Sequence, residues 1–299
     1  MANTSSGDSY PIINVDPDWT LQPEAMGGKR KFWYREPEQN ADWLFKYPRE
    51  NTGEHWAEKV AAEIAARLRV LHGRVELARV ERTRGTATKS FTNGRQLFHG
   101  NQLLMKKVAD YDADRVFGQS DHTLTNIWRV MDDFQGTDAV HRAKCRFAGF
   151  LVLDAVVGNT DRHHENWGLL LKRTETGWKG QVAPSFDHAS SLGRELQDSA
   201  RDRILEQRRV GRYSERGRGG IYWSEGDRRG LSPLELVRRA VSNEPELFRP
   251  VSPRLRHLND DTLRDVVGRV PSGWISPSAR QFAVELMRYN LAQLREVVR

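Results

Sequence analysis

The spacing of hydrophobic positions changes along this chain, and the changes divide it. Residues 1–26 are polar and rich in Ser, Asp, Asn and Pro, with no periodicity; that pattern predicts a loosely attached tail. Ordered structure is expected from Gly27. Lys31–Arg35 and Trp43–Tyr47 are aromatic-rich runs separated by a polar, Pro-containing stretch, the pattern of two strands joined by a turn. The period then lengthens. Trp56, Val60, Ile64 and Leu68 form one apolar stripe of a helix expected to be capped by Thr52. Ala57, Ala61, Ala62 and Ala65 give that helix a second face of small residues, so burial on more than one side is expected. Val75–Val80 reads as a further strand, and Thr83–Asn93 as a Gly- and Thr-rich connection.

From Leu97 onward helical patterns dominate, notably Leu124–Phe134 and Val140–Val157, the latter with Phe147, Leu151, Val152, Ala155 and Val156 as apolar positions. One interruption stands out. Trp167–Lys172 and Trp178–Ala183 flank Thr176-Gly177 and predict a β-hairpin. Later helices are predicted at Pro233–Ser242, Asp260–Val267 and Ser278–Val298, and no repeat of fixed period occurs. The chain therefore reads as α+β, with a small β-rich unit at 27–95 and a larger, mostly helical one at 96–299.

Composition narrows the class. A 38% hydrophobic content and one cysteine among 299 residues exclude a disulfide scaffold and a wholly disordered chain. That cysteine, Cys145, sits in a helical pattern and is expected to pack in the core. No apolar run is long enough to span a bilayer and the N-terminus has no signal-peptide pattern, so a cytoplasmic location without membrane contact is expected. Lys and Arg outnumber Asp and Glu by 47 to 40, an excess that permits acidic partners without requiring nucleic acid. Part of it is local: Arg201–Arg229 carries nine Arg against five acids. Two readings stay open for that stretch, a solvated loop and a platform for an acidic peptide, a phosphate or RNA.

The chemistry concentrates in Gly158–Gly168, GNTDRHHENWG. Three readings compete: a solvated loop, a metal site on the paired histidines, and a phosphoryl-transfer loop. In the third, Asp161 receives the proton of an acceptor hydroxyl and Asn166, five residues on, holds Mg²⁺. Adjacent histidines in an extended loop point to opposite sides, which disfavours one shared zinc. A hairpin turning at Thr176-Gly177 is expected to set Asn166 opposite Asp187, so three oxygen-bearing side chains converge, as Mg²⁺ on nucleotide phosphates needs. A cation for those phosphates is available in Lys46, which ends the WLFK run ahead of a helix carrying Glu54, Glu58 and Glu63. Glu58, amid the alanine face, is the preferred partner for Lys46 and Glu63 the second. Upstream, Gly27-Gly28-Lys29-Arg30-Lys31 is a basic turn able to fold over phosphates, although neither GxGxxG nor GxxxxGK[ST] is present.

Taken in order, WLFKYP, GEHWAEKVAAEIA, VERT, LFHGNQLL, GNTDRHHENWG and SFDHASSLG resemble the HipA-like Ser/Thr kinases of bacteria, in their short form. The DRHxxN core is also similar to that of phosphoinositide kinases. The resemblance spans Gly27–Gly193 and implies a bilobal protein-kinase-like fold that uses ATP and Mg²⁺ to phosphorylate Ser or Thr of a protein substrate. Such kinases are often toxins held by an antitoxin, with nucleic acid reached only through that partner. It implies Asp161 as the catalytic Asp with His163 beside it, Asn166 and Asp187 as Mg²⁺ ligands, and Lys46 as the strand lysine. Gly28 and Lys31 fall in its phosphate loop, and Glu81, Arg82 and Thr83 in an interlobe hinge that meets adenine. Three departures accompany it. The family's additional N-terminal subdomain is expected to be absent, with only about 26 residues ahead of Gly27. Residues between Gln22 and Phe32 include no Ser or Thr for self-phosphorylation. Asp187-His188-Ala189 replaces Asp-Phe-Gly, so activation-loop logic is not expected to transfer. A small-molecule or phosphoinositide-type lipid kinase is the first alternative, and a non-catalytic basic binding module the second.

Overall fold

A computed structural model describes residues 8–23, 30–38, 40–175 and 177–298. The N-terminal lobe is a six-stranded sheet of β1 (Ile12–Val15), β2 (Thr20–Pro23), β3 (Lys31–Glu36), β4 (Ala41–Lys46), β5 (Val75–Val80) and β6 (Thr83–Lys89). Its spatial order is β1-β5-β6-β4-β3-β2. Helix α1 (Glu54–Arg67) packs on β5 and β6. Its expected double burial is present, since both the Trp56, Val60, Ile64 stripe and the alanine face are buried. The opposite side of the sheet has its own small core around Tyr34, Trp43 and Phe45.

Three expectations for this lobe are corrected. The segment read as a tail supplies two strands. Strand β1 pairs parallel with β5, Ile12 beside Leu77, and β2 pairs antiparallel with β3. Ahead of them Tyr10 is buried and its hydroxyl donates to Val266 O at 3.0 Å. Strands of four residues have too few alternations to register as a pattern, and the partner of β1 is remote in sequence. The helix cap is Gly53 rather than Thr52, whose hydroxyl donates to Arg49 O instead. Thr83–Lys89 is not a connection but a central strand, β6, between β5 and β4. Threonine favours strands, and Gly85 is there because β4 passes so close that a Cβ would sit 2.4 Å from Lys46 O.

The chain crosses to the second lobe through residues 90–95 and enters a three-stranded sheet of β7 (Gln96–His99), β8 (Gly168–Thr174) and β9 (Gly177–Val182). The β8–β9 hairpin forms as predicted, with Thr174 paired to Gly177. Its register is two residues off the expected one. The last named pair toward the loops is Leu169 with Val182, so Asp187 lies in the loop beyond the ladder instead of directly across from Asn166. A slip of two keeps every side chain on its intended face.

Helices α2 (Gly100–Leu104), α3 (Leu124–Met131) and α4 (Thr137–Val157) precede this hairpin. After it come α5 (Asp198–Glu206), α6 (Val210–Arg216), α7 (Pro233–Asn243), α8 (Ser252–His257), α9 (Asp260–Gly268) and α10 (Pro277–Val297). The Arg-rich stretch is thus partly helical, as α5 and α6. Helix α4 is the axis of the lobe: Phe147 through Val157 are all buried, against α7 and α10 among others. Its earlier turns are not, and Cys145 is half-exposed with Sγ 3.4 Å from His141 Nε2. The thiol still packs against the main core, at its edge rather than inside it. Among the described residues no helix is long and apolar enough to cross a membrane.

Candidate active site

Between the lobes lies a cleft of about 430 Å³, lined by Lys31, Lys46, Asp161, His163, Asn166 and Asp187 together with Leu44, Phe91, Leu97, Phe117 and Phe186. The lining combines charged and polar side chains with aromatic ones, the two kinds of surface that a nucleotide with charged phosphates and a flat base needs.

Lys46 ends β4 and is buried. Its Nζ lies 3.2 Å from Glu58 Oε1 and 3.2 Å from Asp187 Oδ1. Glu58 is buried one turn into α1, and Thr86 donates to its other oxygen at 3.1 Å. The carboxylate is therefore oriented from both sides. Burial by itself favours the neutral amine, but Asp187 and Glu58 outweigh it and hold the Lys46 ammonium above its ordinary pKa. Glu63, the second choice, pairs with Lys59 instead. Asp187 adopts φ of 57°, a left-handed conformation that a non-glycine residue holds only where its surroundings impose it.

The loop after α4 is built on a buried ion pair that sequence reasoning passed over. Asp154, on the last turns of α4, takes Arg162 Nε and Nη2 at 2.7 Å each. Asn159 Nδ2 adds a third bond to the same carboxylate at 2.8 Å. Arg162 reaches on to Asn166 O at 2.7 Å and Ser185 Oγ at 3.0 Å, so one guanidinium ties together the helix, the loop and the segment leading to Asp187. The available signal was an acid inside an otherwise apolar helix run, FLVLDAVV.

On that scaffold Asp161 receives Ser190 Oγ at 3.1 Å on Oδ2, and its backbone carbonyl accepts Asn166 Nδ2 at 2.7 Å. The second bond commits the Asn166 amide nitrogen and leaves Oδ1 as its acceptor. His163 stands beside Asp161, its Nε2 3.9 Å from Oδ1. Asn166 and Asp187 are oxygen donors of the kind Mg²⁺ takes when nucleotide phosphates complete its shell. Among the described residues no cluster of three His, Cys, Asp or Glu forms a protein-only metal cage. The paired histidines diverge: His163 lines the cleft, whereas His164 is buried against the Tyr111 hydroxyl at 2.8 Å.

Two site expectations fail or fall outside view. Glu81, Arg82 and Thr83 do not form the hinge. They make the β5–β6 hairpin turn, exposed, with φ of 52° at Glu81. The cleft is lined at that level by Ser90, Phe91 and Thr92 of the crossing segment. Phe91 stacks on Phe186 with centroids 5.7 Å apart. Gly28 lies outside the described residues, while Lys31 lines the cleft mouth.

A histidine network packs against the loop. His122 Nδ1 meets Gly220 O at 2.6 Å and so carries the proton, leaving Nε2 to accept Trp167 Nε1 at 3.0 Å. Burial pushes His122 down to about 3 and His164 down to about 4. Both are neutral in the folded protein at neutral pH, while their unfolded counterparts protonate near 6.5. Stability is thus at its full value above about 6.5 and is lost as pH falls toward about 4. Chemical denaturation at stepped pH is expected to show that slope, and a flat profile across this window would contradict buried neutral rings.

The two lobes and their cleft define a chain of the protein-kinase-like class. It belongs to the HipA-like C-terminal domain family, whose profile matches residues 22–231. A stretch of 62 residues is 39% identical to the serine/threonine-protein kinase CtkA of Helicobacter pylori strain J99, spanning 21% of this chain and 18% of that protein. The crystal structure of the H. pylori proinflammatory kinase CtkA is similar over 95% of this chain and 96% of that one, with a TM-score of 0.73 at 19% identity. HipA of Shewanella oneidensis MR-1, solved with HipB and operator DNA, is similar over 93% of this chain and 66% of that one, with a TM-score of 0.52 at 12% identity. These likenesses establish the bilobal fold that the motifs implied.

Proposed function

We propose that this chain is an ATP- and Mg²⁺-dependent Ser/Thr protein kinase that transfers the γ-phosphoryl group to a protein hydroxyl. The observation that carries the reading is Lys46 held between Glu58 and Asp187, 3.2 Å from each, across a cleft from Asp161 and Asn166. Phosphoryl transfer depends on position and charge more than on covalent chemistry. Lys46 would face the phosphates, and Asn166 Oδ1 with Asp187 would hold Mg²⁺, which neutralises phosphate charge when bound. Asp161 orients the acceptor hydroxyl and takes its proton. The stacked Phe91 and Phe186 in the cleft lining suit the base.

The same reading places the protein in the cytoplasm with a protein acceptor. A regulatory antitoxin is a further expected partner, since the similar HipA was solved with HipB and DNA; nucleic acid would be reached through that partner. The test is labelled ATP with Mg²⁺ and three acceptor classes: protein, inositide and aminoglycoside. Label in protein alone is expected. Label in a lipid or sugar would favour the small-molecule alternative. Lys46→Met is expected to weaken ATP affinity roughly tenfold or more, measured by calorimetry, because about 1.4 kcal/mol per decade is a modest part of a buried ammonium–phosphate contact.

A further inference from the structure

On the far side of Asp161 from the cleft a second hollow opens, a groove of about 640 Å³. One end is the catalytic loop itself: Thr160 and Ser190 line it, and Ser190 is the residue whose hydroxyl binds Asp161 Oδ2. The other wall is the Arg-rich stretch, which is packed directly on that loop. A Cβ at Gly220 would lie 2.9 Å from the backbone of Arg162 and His163, and one at Gly217 would lie 3.1 Å from the Thr160 methyl. Close approach at Gly220 explains why the chain can run there without a side chain.

The charge in the groove is one-sided. Arg203, Arg209, Arg212, Arg216 and Arg218 all line it and are all exposed. None makes an ion pair with a carboxylate among the described residues; Arg218 donates only to the carbonyls of Glu215 and Gly217. Arg194, also in the lining, is answered by Glu54 at 3.3 Å. The single acid of the lining, Glu195, accepts the Tyr213 hydroxyl at 2.6 Å. Five guanidinium forks are left without a carboxylate partner, the protein group they match in shape and charge.

We propose that this groove binds the segment flanking the acceptor hydroxyl, and that the segment is acidic, with Asp or Glu side chains seated on Arg209, Arg212 and Arg216. The inference rests on the kinase reading above and names its acceptor class. A protein segment fits better than single-stranded RNA. Tyr213 is the groove's one aromatic residue and its hydroxyl is bound to Glu195, so the groove lacks the run of aromatic faces on which successive bases stack. Ile204 and Leu286 instead line the groove with apolar surface suited to peptide side chains.

The test uses the full chain and labelled peptides of one length, a Ser flanked by Glu, by Ala or by Lys, with an oligouridine RNA as the competing class. Fluorescence anisotropy reads binding without transfer. The Glu-flanked peptide is expected to bind roughly tenfold or more tightly than the Ala-flanked one, with the gap narrowing as salt rises. In the double variant Arg209→Glu/Arg212→Glu the preference is expected to turn toward the Lys-flanked peptide. Equal binding of the three peptides, a preference unmoved by charge reversal, or tighter binding of the RNA would each overturn the proposal. Phosphate incorporation is scored separately. Its absence from every acceptor overturns the kinase reading, whereas transfer without acidic preference overturns this inference alone.

Discussion

Asp161→Asn is expected to lower phosphoryl transfer by roughly 10²–10⁴-fold, the usual contribution of a positioned general base, while nucleotide affinity stays within about twofold of the parent. The substitution is nearly isosteric. An asparagine oxygen still accepts the Ser190 hydroxyl that Oδ2 accepts at 3.1 Å, and the backbone carbonyl still accepts Asn166 Nδ2. What disappears is the charge that draws the acceptor proton. Lys46, Glu58 and Asp187 remain in place for the phosphates. Single-turnover transfer measured beside calorimetric ATP binding separates the two effects. Equal loss of both would mean that the variant disturbed the loop rather than the chemistry.

Arg162→Met is expected to cost roughly 3–5 kcal/mol of stability, the penalty for leaving a buried charge without its partner. Asp154 and Arg162 side chains are 4% and 3% exposed, with nothing but each other and a few neutral groups to compensate them. The carboxylate would keep Asn159 Nδ2 and lose the guanidinium. Urea denaturation reads the loss. A second variant decides its origin: Arg162→Met combined with Asp154→Leu removes both charges and is expected to recover much of the stability. Transfer is expected to stay low in the double variant, because Asn166 O and Ser185 Oγ lose the donor that fixed them. Stability unchanged in Arg162→Met would show that the pair does not organise the loop.

How much of this was legible beforehand follows from where each signal sits in the chain. Lys46 with Glu58 was readable because they are only twelve positions apart, on a strand and then a helix whose alanine face leaves room for one carboxylate. Asp161 and Asn166 were readable for the same reason: one loop contains them. The hairpin was visible in its two apolar runs, but its register was not, since a two-residue slip leaves the alternation unchanged. Distance in sequence hid the rest. Strand β1 exists only through a partner dozens of residues away, and β2 is four residues long with no alternation to mark it. Thr83–Lys89 has the composition of a loop until β4 and β5 close on either side. The hinge that the resemblance implied at Glu81–Thr83 falls one strand too early, because β6 still has to be laid down before residues 90–95 leave the lobe. The Asp154–Arg162 pair has spacing and charge in view, yet only burial makes it structural.

The central claim is that one cleft holds a nucleotide between Lys46 and Asp187. Its most direct test is a crystal structure with a non-hydrolysable ATP analogue and Mg²⁺. The account predicts the triphosphate against Lys46 Nζ, the metal on Asn166 Oδ1 and Asp187, and the base beside Phe91 and Phe186. Nucleotide bound elsewhere on the chain, with Lys46 still closed on Glu58 and Asp187, would contradict it.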